Sequence, residues 1–504
     1  MIIDFSSSWQ YALALLPEVV LSVWAMGLLL ADVFQKGDRS APSAAWVPRL
    51  TLVGIALAAA ANIWLLTLEE ATPAGLIALD SFRVFVNFIL LLAAALFVLM
   101  STRYLDEANL RLGELYVLVL FATVGMMVFA GTRDLLLIFI GLELMSVPIY
   151  VLTGINRRDP RSGEGAIKYF LLGAFSSAFF LFGIALVYGG SGSTNLASIA
   201  TAVGIDGLGA NALLVLGTAM LAVGFGFKVS AVPFHMWTPD AYEGAPAPIT
   251  GFMAAAVKTA AFAAFLRVFL TAFGGLYESW DTIAIGLAVL TMVGANLVAL
   301  VEGNVKRMLA YSSIAHAGYL LVALAAASVI GAASFLFYLA VYTLMTIGSF
   351  AVVMAVARRG EERLDLDAYG GLGWQRPFIG VVMTIFLLSL AGFPFTGGFF
   401  GKVYILQSAV EQGLVLLAVV LVITSLISYF YYLRVAWYMW FREPDAKRDD
   451  GEPIVLTRSM TAALAFSAVG VVVLGVFPGE LLDLAERSAA ALLQVPATML
   501  GSGR

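Results

Sequence analysis

Fourteen apolar runs, most of them about 20 residues or longer, recur along this chain of 504 residues. No other feature limits its fold so severely. A helix needs about 20 residues to cross a hydrocarbon core some 30 Å thick. Lipid offers no partner to a backbone amide or carbonyl, so spanning segments must be helices or a closed barrel. Runs this long exclude the short, weakly alternating strands of a barrel. They fall near 11–33, 46–67, 83–100, 114–130, 134–154, 166–188, 211–240, 248–273, 282–303, 307–325, 331–357, 377–410, 414–441 and 457–485. The expected fold is an all-α polytopic membrane protein of about fourteen transmembrane helices, numbered here as spans 1 to 14. A composition of 61% hydrophobic and 12% charged residues agrees. The formal charge of −5 supports no nucleic-acid partner, and a count of zero cysteines excludes disulfides, thiolate metal sites and iron–sulfur ligation. Any redox centre then belongs to another chain.

Loop charges give an orientation. Connections after odd-numbered spans carry Lys36, Arg39 and Arg49; Arg103 and Arg111; Arg157, Arg158 and Arg161; Lys306 and Arg307; Arg358, Arg359, Arg363 and Arg376; and Arg442, Lys447, Arg448 and Arg458. The other side carries Arg83, Arg133, Arg487 and Arg504. Eighteen against four follows the positive-inside rule and places both termini away from the cytoplasm. The first run lacks a basic preceding region and is too long for a cleaved signal, so Met1 is expected to begin the mature chain. Three polar interruptions, Gly189–Asn211, Arg358–Arg376 and Arg442–Arg458, read as loops.

Ionisable residues inside the runs point to function. Glu143, Lys228, Lys258 and Lys402 each lie well within a different apolar stretch, where a central charge costs about 2.5 to 3.5 kcal/mol on the lenient insertion scales. Such residues face a bundle interior and mark an ion or proton path, or else form an ion pair that only holds helices together. At ~1.5 Å per residue, Glu143 is roughly 13 Å into span 5, near mid-depth. Lys258 and His316 are similarly deep in spans 8 and 10, His316 reading equally as a packing residue. Lys168, near the start of span 6, either joins the path or snorkels to the interface. Arg267 and Arg434, near span ends, are expected to snorkel or cap backbone. Asp240 and Glu243 look interfacial. Lysine suits a relay because a buried amine can shed its proton, whereas arginine stays charged. At ~7 Å and an effective dielectric of ~20, a Glu143–Lys228 attraction is about 2.4 kcal/mol, enough to switch an amine.

Spans 7 and 12 are longer than a crossing needs and are interrupted, the first at Pro233 beside Lys228, the second at Gly392-Phe393-Pro394 before Lys402. Two broken helices five positions apart, entering from opposite sides, are the mark of an inverted-repeat transporter. Two five-helix units are expected, spans 4–8 and 9–13. The resulting division is 1–110 for spans 1–3, 111–273 and 274–441 for the repeats, and 442–504 for a cytoplasmic loop and span 14.

The stretch Val232-Pro-Phe-His-Met-Trp-Thr-Pro-Asp-Ala-Tyr-Glu-Gly-Ala-Pro246, followed by Lys258, resembles the most distinctive motif of the antiporter-like membrane subunits of respiratory complex I, themselves similar to subunits of multi-component sodium/proton antiporters. Tyr242–Pro246, Asn304–Tyr319 and Leu390–Lys402 look most like the subunit N branch of that family. A lysine in span 12 argues against subunit M, and the absence of a long lateral helix against subunit L. The likeness runs over about residues 110 to 440. It implies inverted five-helix repeats with broken spans 7 and 12, and a proton relay of Glu143, Lys168, Lys228, Lys258, His316 and Lys402, Glu143 pairing with Lys228. It implies other membrane-arm subunits on both flanks, lipids, no cofactor on this chain, quinone chemistry elsewhere, and the bacterial inner membrane. Rival readings are a sodium/proton antiporter subunit and a non-pumping coupling or structural subunit. No nucleotide loop, metal cluster or nucleophile triad stands out.

Overall fold

Polar backbone groups at the starts of seven helices are met by short side chains of the preceding loops, which helps fix where those helices begin. Asp80, Asp134, Asp159, Asn211, Asn304, Ser328 and Thr457 each accept from an amide of the first helical turn that follows. The computed structural model describes residues 2–35, 45–70, 75–110, 112–206, 211–358, 360–443 and 454–493. Among them, twelve helices are long and apolar enough to cross a membrane. These are spans 1 to 6 (Leu16–Gln35, Val47–Thr67, Ser81–Glu107, Gly113–Gly131, Leu135–Thr153, Pro160–Ser191), spans 8 to 11 (Ala247–Thr271, Gly274–Val301, Val305–Ala325, Val329–Val356) and spans 13 and 14 (Val415–Phe441, Arg458–Val476). Span 7 consists of Ala212–Lys228 and Trp237–Gly244, and span 12 of Pro377–Ala391 and Gly397–Glu411. Four spanning helices separate the two breaks, so the chain passes them in opposite directions, as inverted five-helix units require.

Span 8 is buried along its whole hydrophobic window, and spans 10 and 11 nearly so. They form the centre of the bundle. Spans 4 and 5 touch backbone to backbone: a Cβ on Gly125 would stand 2.3 Å from the Met145 amide, and one on Gly141 2.5 Å from that of Phe129. Small residues permit this in a medium where close packing drives helix association.

Three expectations change. The Gly189–Asn211 interruption contains a helix, Leu196–Asp206. The last run is two helices, because Phe477-Pro478 ends span 14 at Val476 and a separate helix, Gly479–Leu493, lies against spans 11 and 3. The fold also carries one two-residue parallel pairing, Ile2–Ile3 with Glu69–Glu70. Met1, Lys36, Arg39, Arg111, Arg359, Lys447, Arg448 and Arg504, used for orientation above, lie outside the described residues.

Candidate functional site

Each break exposes backbone groups that must be satisfied within the protein. In span 7 the first half ends at Lys228, and Ser230 takes a left-handed φ of 64°. The Trp237 indole donates to the Phe227 carbonyl at 3.1 Å, the Val232 amide donates to Thr291 Oγ1 at 2.9 Å, and the Thr238 hydroxyl donates to Ser230 Oγ at 2.9 Å. Pro233, in this segment, has no amide to satisfy. In span 12 the first half closes on Gly392, whose φ of 89° suits glycine. Lys402 itself supplies the cap, its Nζ donating to the carbonyls of Leu390 at 3.0 Å and Ala391 at 2.9 Å. A cation there also meets the negative end of the half-helix. Beyond Pro394, the Gly398 amide donates to Ser389 Oγ at 3.1 Å.

Lys228 is buried, with its Nζ donating to Ser146 Oγ at 2.7 Å and to Tyr150 OH at 3.3 Å. Glu143 is not its direct partner. The Glu143 carboxylate, half-buried, accepts from the Ser177 hydroxyl at 2.5 Å, and among the described residues no ion pair joins it to Lys228 within 4.0 Å. The two groups remain neighbours through span 5, since Ser146 follows Glu143 by three residues and shares its face. From Lys228 inward the interval is filled by rings. Tyr169 lies 5.9 Å from the amine and stacks on Trp237 at 4.1 Å, and Trp237 meets Tyr242 edge-on at 6.3 Å.

From Lys258 onward the polar contacts follow one face of span 10. Lys258, buried directly after a π-helical stretch at Met253–Val257, donates to the Ser313 carbonyl at 2.5 Å. His316, three residues on, bonds Tyr338 OH through Nδ1 and Tyr432 OH through Nε2 at 3.0 Å. Tyr432 also bonds Ser312. Three residues further, the Tyr319 ring contacts His316 at 5.3 Å and receives Lys402 Nζ at 4.7 Å from its centroid. The structure thus brings Lys258, His316 and Lys402 onto one connected line. Lys228 reaches it only through aromatic contacts.

Lys168 stands apart. Its side chain is 43% exposed and pairs with Glu164 at 2.6 Å and Asp240 at 2.7 Å. Asp240 also binds Arg307, which pairs with Glu243 at 2.8 Å, so both acids belong to a partly exposed cluster of ion pairs. Arg434 caps the end of span 9, donating to the carbonyls of Leu300, at 3.0 Å, and of Glu302. Arg267 does not snorkel. It is buried and binds Asp80 bidentately at 2.7 and 2.9 Å while its Nε donates to the Ala130 carbonyl at 3.0 Å. Burial pushes the Asp80 carboxyl up, but the guanidinium groups of Arg267 and Arg133 and the Arg83 amide outweigh it and hold that carboxyl well below the usual carboxylate range.

Residues 132–428 match the family described as "NADH:quinone oxidoreductase/Mrp antiporter, TM". The chain is 45% identical over 474 residues to NADH-quinone oxidoreductase subunit N of Trichlorobacter lovleyi, covering 94% of this chain and 96% of the relative. It belongs to the subunit N family of NADH-quinone oxidoreductase. A chain of respiratory complex I from Thermus thermophilus superposes with a TM-score of 0.78 at 35% identity, covering 93% of this chain and 99% of that one. A chain of the Mrp complex from Dietzia sp. shares the fold, with a TM-score of 0.82 at 21% identity and coverage of 98% and 99%. Membership of the subunit N family makes this a multi-span membrane subunit of a translocase complex. Sequence reading passed over the tyrosines that line the axis. Their signal was available in spacing: Ser312, Ser313, His316 and Tyr319 recur every three or four residues, as do Tyr338 and Tyr342.

Proposed function

We propose that this chain translocates protons as a membrane-arm subunit of NADH:quinone oxidoreductase, along a mid-membrane axis of Glu143, Lys168, Lys228, Lys258, His316 and Lys402, driven by quinone reduction elsewhere in the complex. The observation that carries the reading is the chemistry around three buried amines. Lys228, Lys258 and Lys402 are held by hydroxyl and carbonyl oxygens, and no carboxylate lies within 4.0 Å of them among the described residues. A lysine, unlike an arginine, can hand on its proton, and partners of this kind leave the amine free to exchange it. Among the described residues Ser313 Oγ, Tyr319 OH and Tyr342 OH are buried without a well-formed hydrogen bond, and water serves buried hydroxyls of this kind.

A change arriving from a neighbouring subunit moves the Glu143 carboxylate from Ser177 toward Lys228 or back, Lys168 and Asp240 forming the outer end. Lys228 then passes its proton past the Tyr169–Trp237–Tyr242 rings to Lys258, and transfer continues through His316 and water to Lys402. Lys402 releases it on the far side. Residues 111–273 and 274–441 act as inverted units, within fourteen crossings and with both termini outside the cytoplasm. Exposed apolar side chains around Glu143, among them Ile140, Leu144, Val147 and Phe175, suit neighbouring subunits or lipid on that flank.

Lys258→Met in the reconstituted complex is expected to abolish the proton pumping carried by this subunit. Unimpaired pumping at normal quinone turnover overturns the assignment. The fold shared with the Mrp chain supports one alternative, a sodium/proton exchanger without redox coupling. Sodium-dependent transport by the protein free of flavin and iron–sulfur subunits is the result that favours it.

A further inference from the structure

On the arginine- and lysine-rich side of the bundle, an open cavity of about 530 Å³ is bordered by Tyr104, Asp159, Arg161, Glu243, Ala245 and Glu362. Its wall is acidic. Glu107, Asp159, Glu243, Glu361 and Glu362 line it together with Arg158 and Arg161, the last paired with Asp159 at 3.1 Å. Glu362 comes from the connection between spans 11 and 12, a stretch with no apolar pattern, yet its side chain is only 10% exposed. One oxygen accepts from Tyr104 OH and from the Ala247 amide, each at 2.7 Å. The other is paired at 2.6 Å with Lys306, which is fully buried. Glu362 thus stands between the cavity and a buried amine.

Lys306 points inward from there. Its Nζ also donates to the carbonyls of Ala245 at 2.5 Å and Glu243 at 3.1 Å. The Thr250 hydroxyl shares the Ala245 carbonyl at 3.2 Å and reaches that of Tyr242 at 2.9 Å. Thr250 is on span 8, about two turns before Lys258, and Tyr242 is buried beside Ser313, whose carbonyl holds Lys258.

We propose that Glu362 and Lys306, steadied by Tyr104, form the proton-loading site through which the axis is filled from the cavity. This rests on the proton-translocating reading above. Protonation of the Glu362 carboxylate by cavity water breaks the ion pair and frees the Lys306 ammonium. Lys306 then gives a proton inward, past Thr250 and toward Lys258, and takes the proton from Glu362. The pair is restored, one proton has moved inward, and no other bond has changed.

The test compares Glu362→Gln, Glu362→Asp and Lys258→Met in the intact complex reconstituted into proteoliposomes, reading protons per electron, the pH profile of pumping and thermal stability. Glu362→Gln keeps the size and, through its carbonyl oxygen, the bonds from Tyr104 and Ala247, but it cannot ionise and leaves Lys306 without its carboxylate. It is expected to lose this subunit's share of the proton-to-electron ratio, to shift the alkaline limb of pumping to lower pH and to lower the melting temperature, while Glu362→Asp restores both pumping and melting temperature. If Lys258→Met stops pumping and Glu362→Gln matches the wild type, the loading site is refuted and the axis stands. If both variants pump normally, the axis itself fails. A Gln and an Asp variant that lose melting temperature and activity together reduce Glu362 to a structural tie and overturn the proposal.

Discussion

Buried cations near Asp80 and buried cations along span 10 face the same solvent problem and solve it in opposite ways. Arg83 donates from Nη2 to both oxygens of Glu18, at 2.7 and 2.8 Å, and Arg267 binds Asp80 through two nitrogens, at 2.7 and 2.9 Å. Each permanent positive charge is matched by a carboxylate, the second in the forked geometry that guanidinium favours. Lys228, Lys258 and Lys402 meet hydroxyl and carbonyl oxygens instead. On the proposed function, the difference separates a lock from a relay. An arginine paired with a carboxylate keeps its proton, whereas a lysine is the cation whose chemistry allows one to be handed on.

The contrast is sharpest in what removal does. Asp80→Asn leaves the Arg267 guanidinium uncompensated and is expected to cost about 3–5 kcal/mol of stability, read as thermal unfolding of the purified complex. Lys258→Met should leave stability nearly unchanged, because it withdraws a buried amine and puts an apolar chain in its place, while pumping disappears. Equal melting losses in the two variants break the comparison. Lys402→Met is an intermediate case, since that amine also caps span 12. Loss of its bonds to Leu390 and Ala391 should cost about 1–3 kcal/mol as well as pumping, and a melting temperature equal to that of the wild type removes the capping role.

The Asp80 lock also predicts a pH signature. Its folded carboxyl titrates below the unfolded value of about 3.9, so its contribution is complete above that pH and is lost as pH falls from there through the lower folded value. The melting difference between wild type and Asp80→Asn should therefore be constant from neutral pH down to that region and shrink under stronger acid. A difference that already shrinks near neutral pH contradicts it. The smallest effect is expected for Tyr319→Phe. Among the described residues its hydroxyl makes no well-formed hydrogen bond, with Ser425 and Asn296 close by, so stability should change by no more than about 1 kcal/mol, and the pumping rate should fall. An unaltered rate removes Tyr319 from the path.

The lengths of the apolar runs, the breaks at Pro233 and Pro394, and the burial of Lys228, Lys258 and Lys402 were legible because each follows from local chemistry: hydropathy, a missing amide, a charge in an apolar stretch. Pro478 carried the same kind of signal and was passed over. Arg267 misled because snorkelling is a local expectation, and its partner Asp80 is 187 residues away. Glu362 was hidden for the same reason, lying 56 residues from Lys306 and 258 from Tyr104. Lys168, which the family motif put in the relay, sits at an exposed edge with Glu164 and Asp240.

By itself the sequence determined that this chain crosses a membrane as helices and that it carries amines into the hydrocarbon, since lipid permits no other backbone and few other reasons for such charges. Only the tertiary structure decided which of those charges are neutralised by carboxylates and which rest on neutral oxygens. The partners come from helices far apart in the chain, and electrostatic strength depends on distances of a few ångströms that no local pattern encodes.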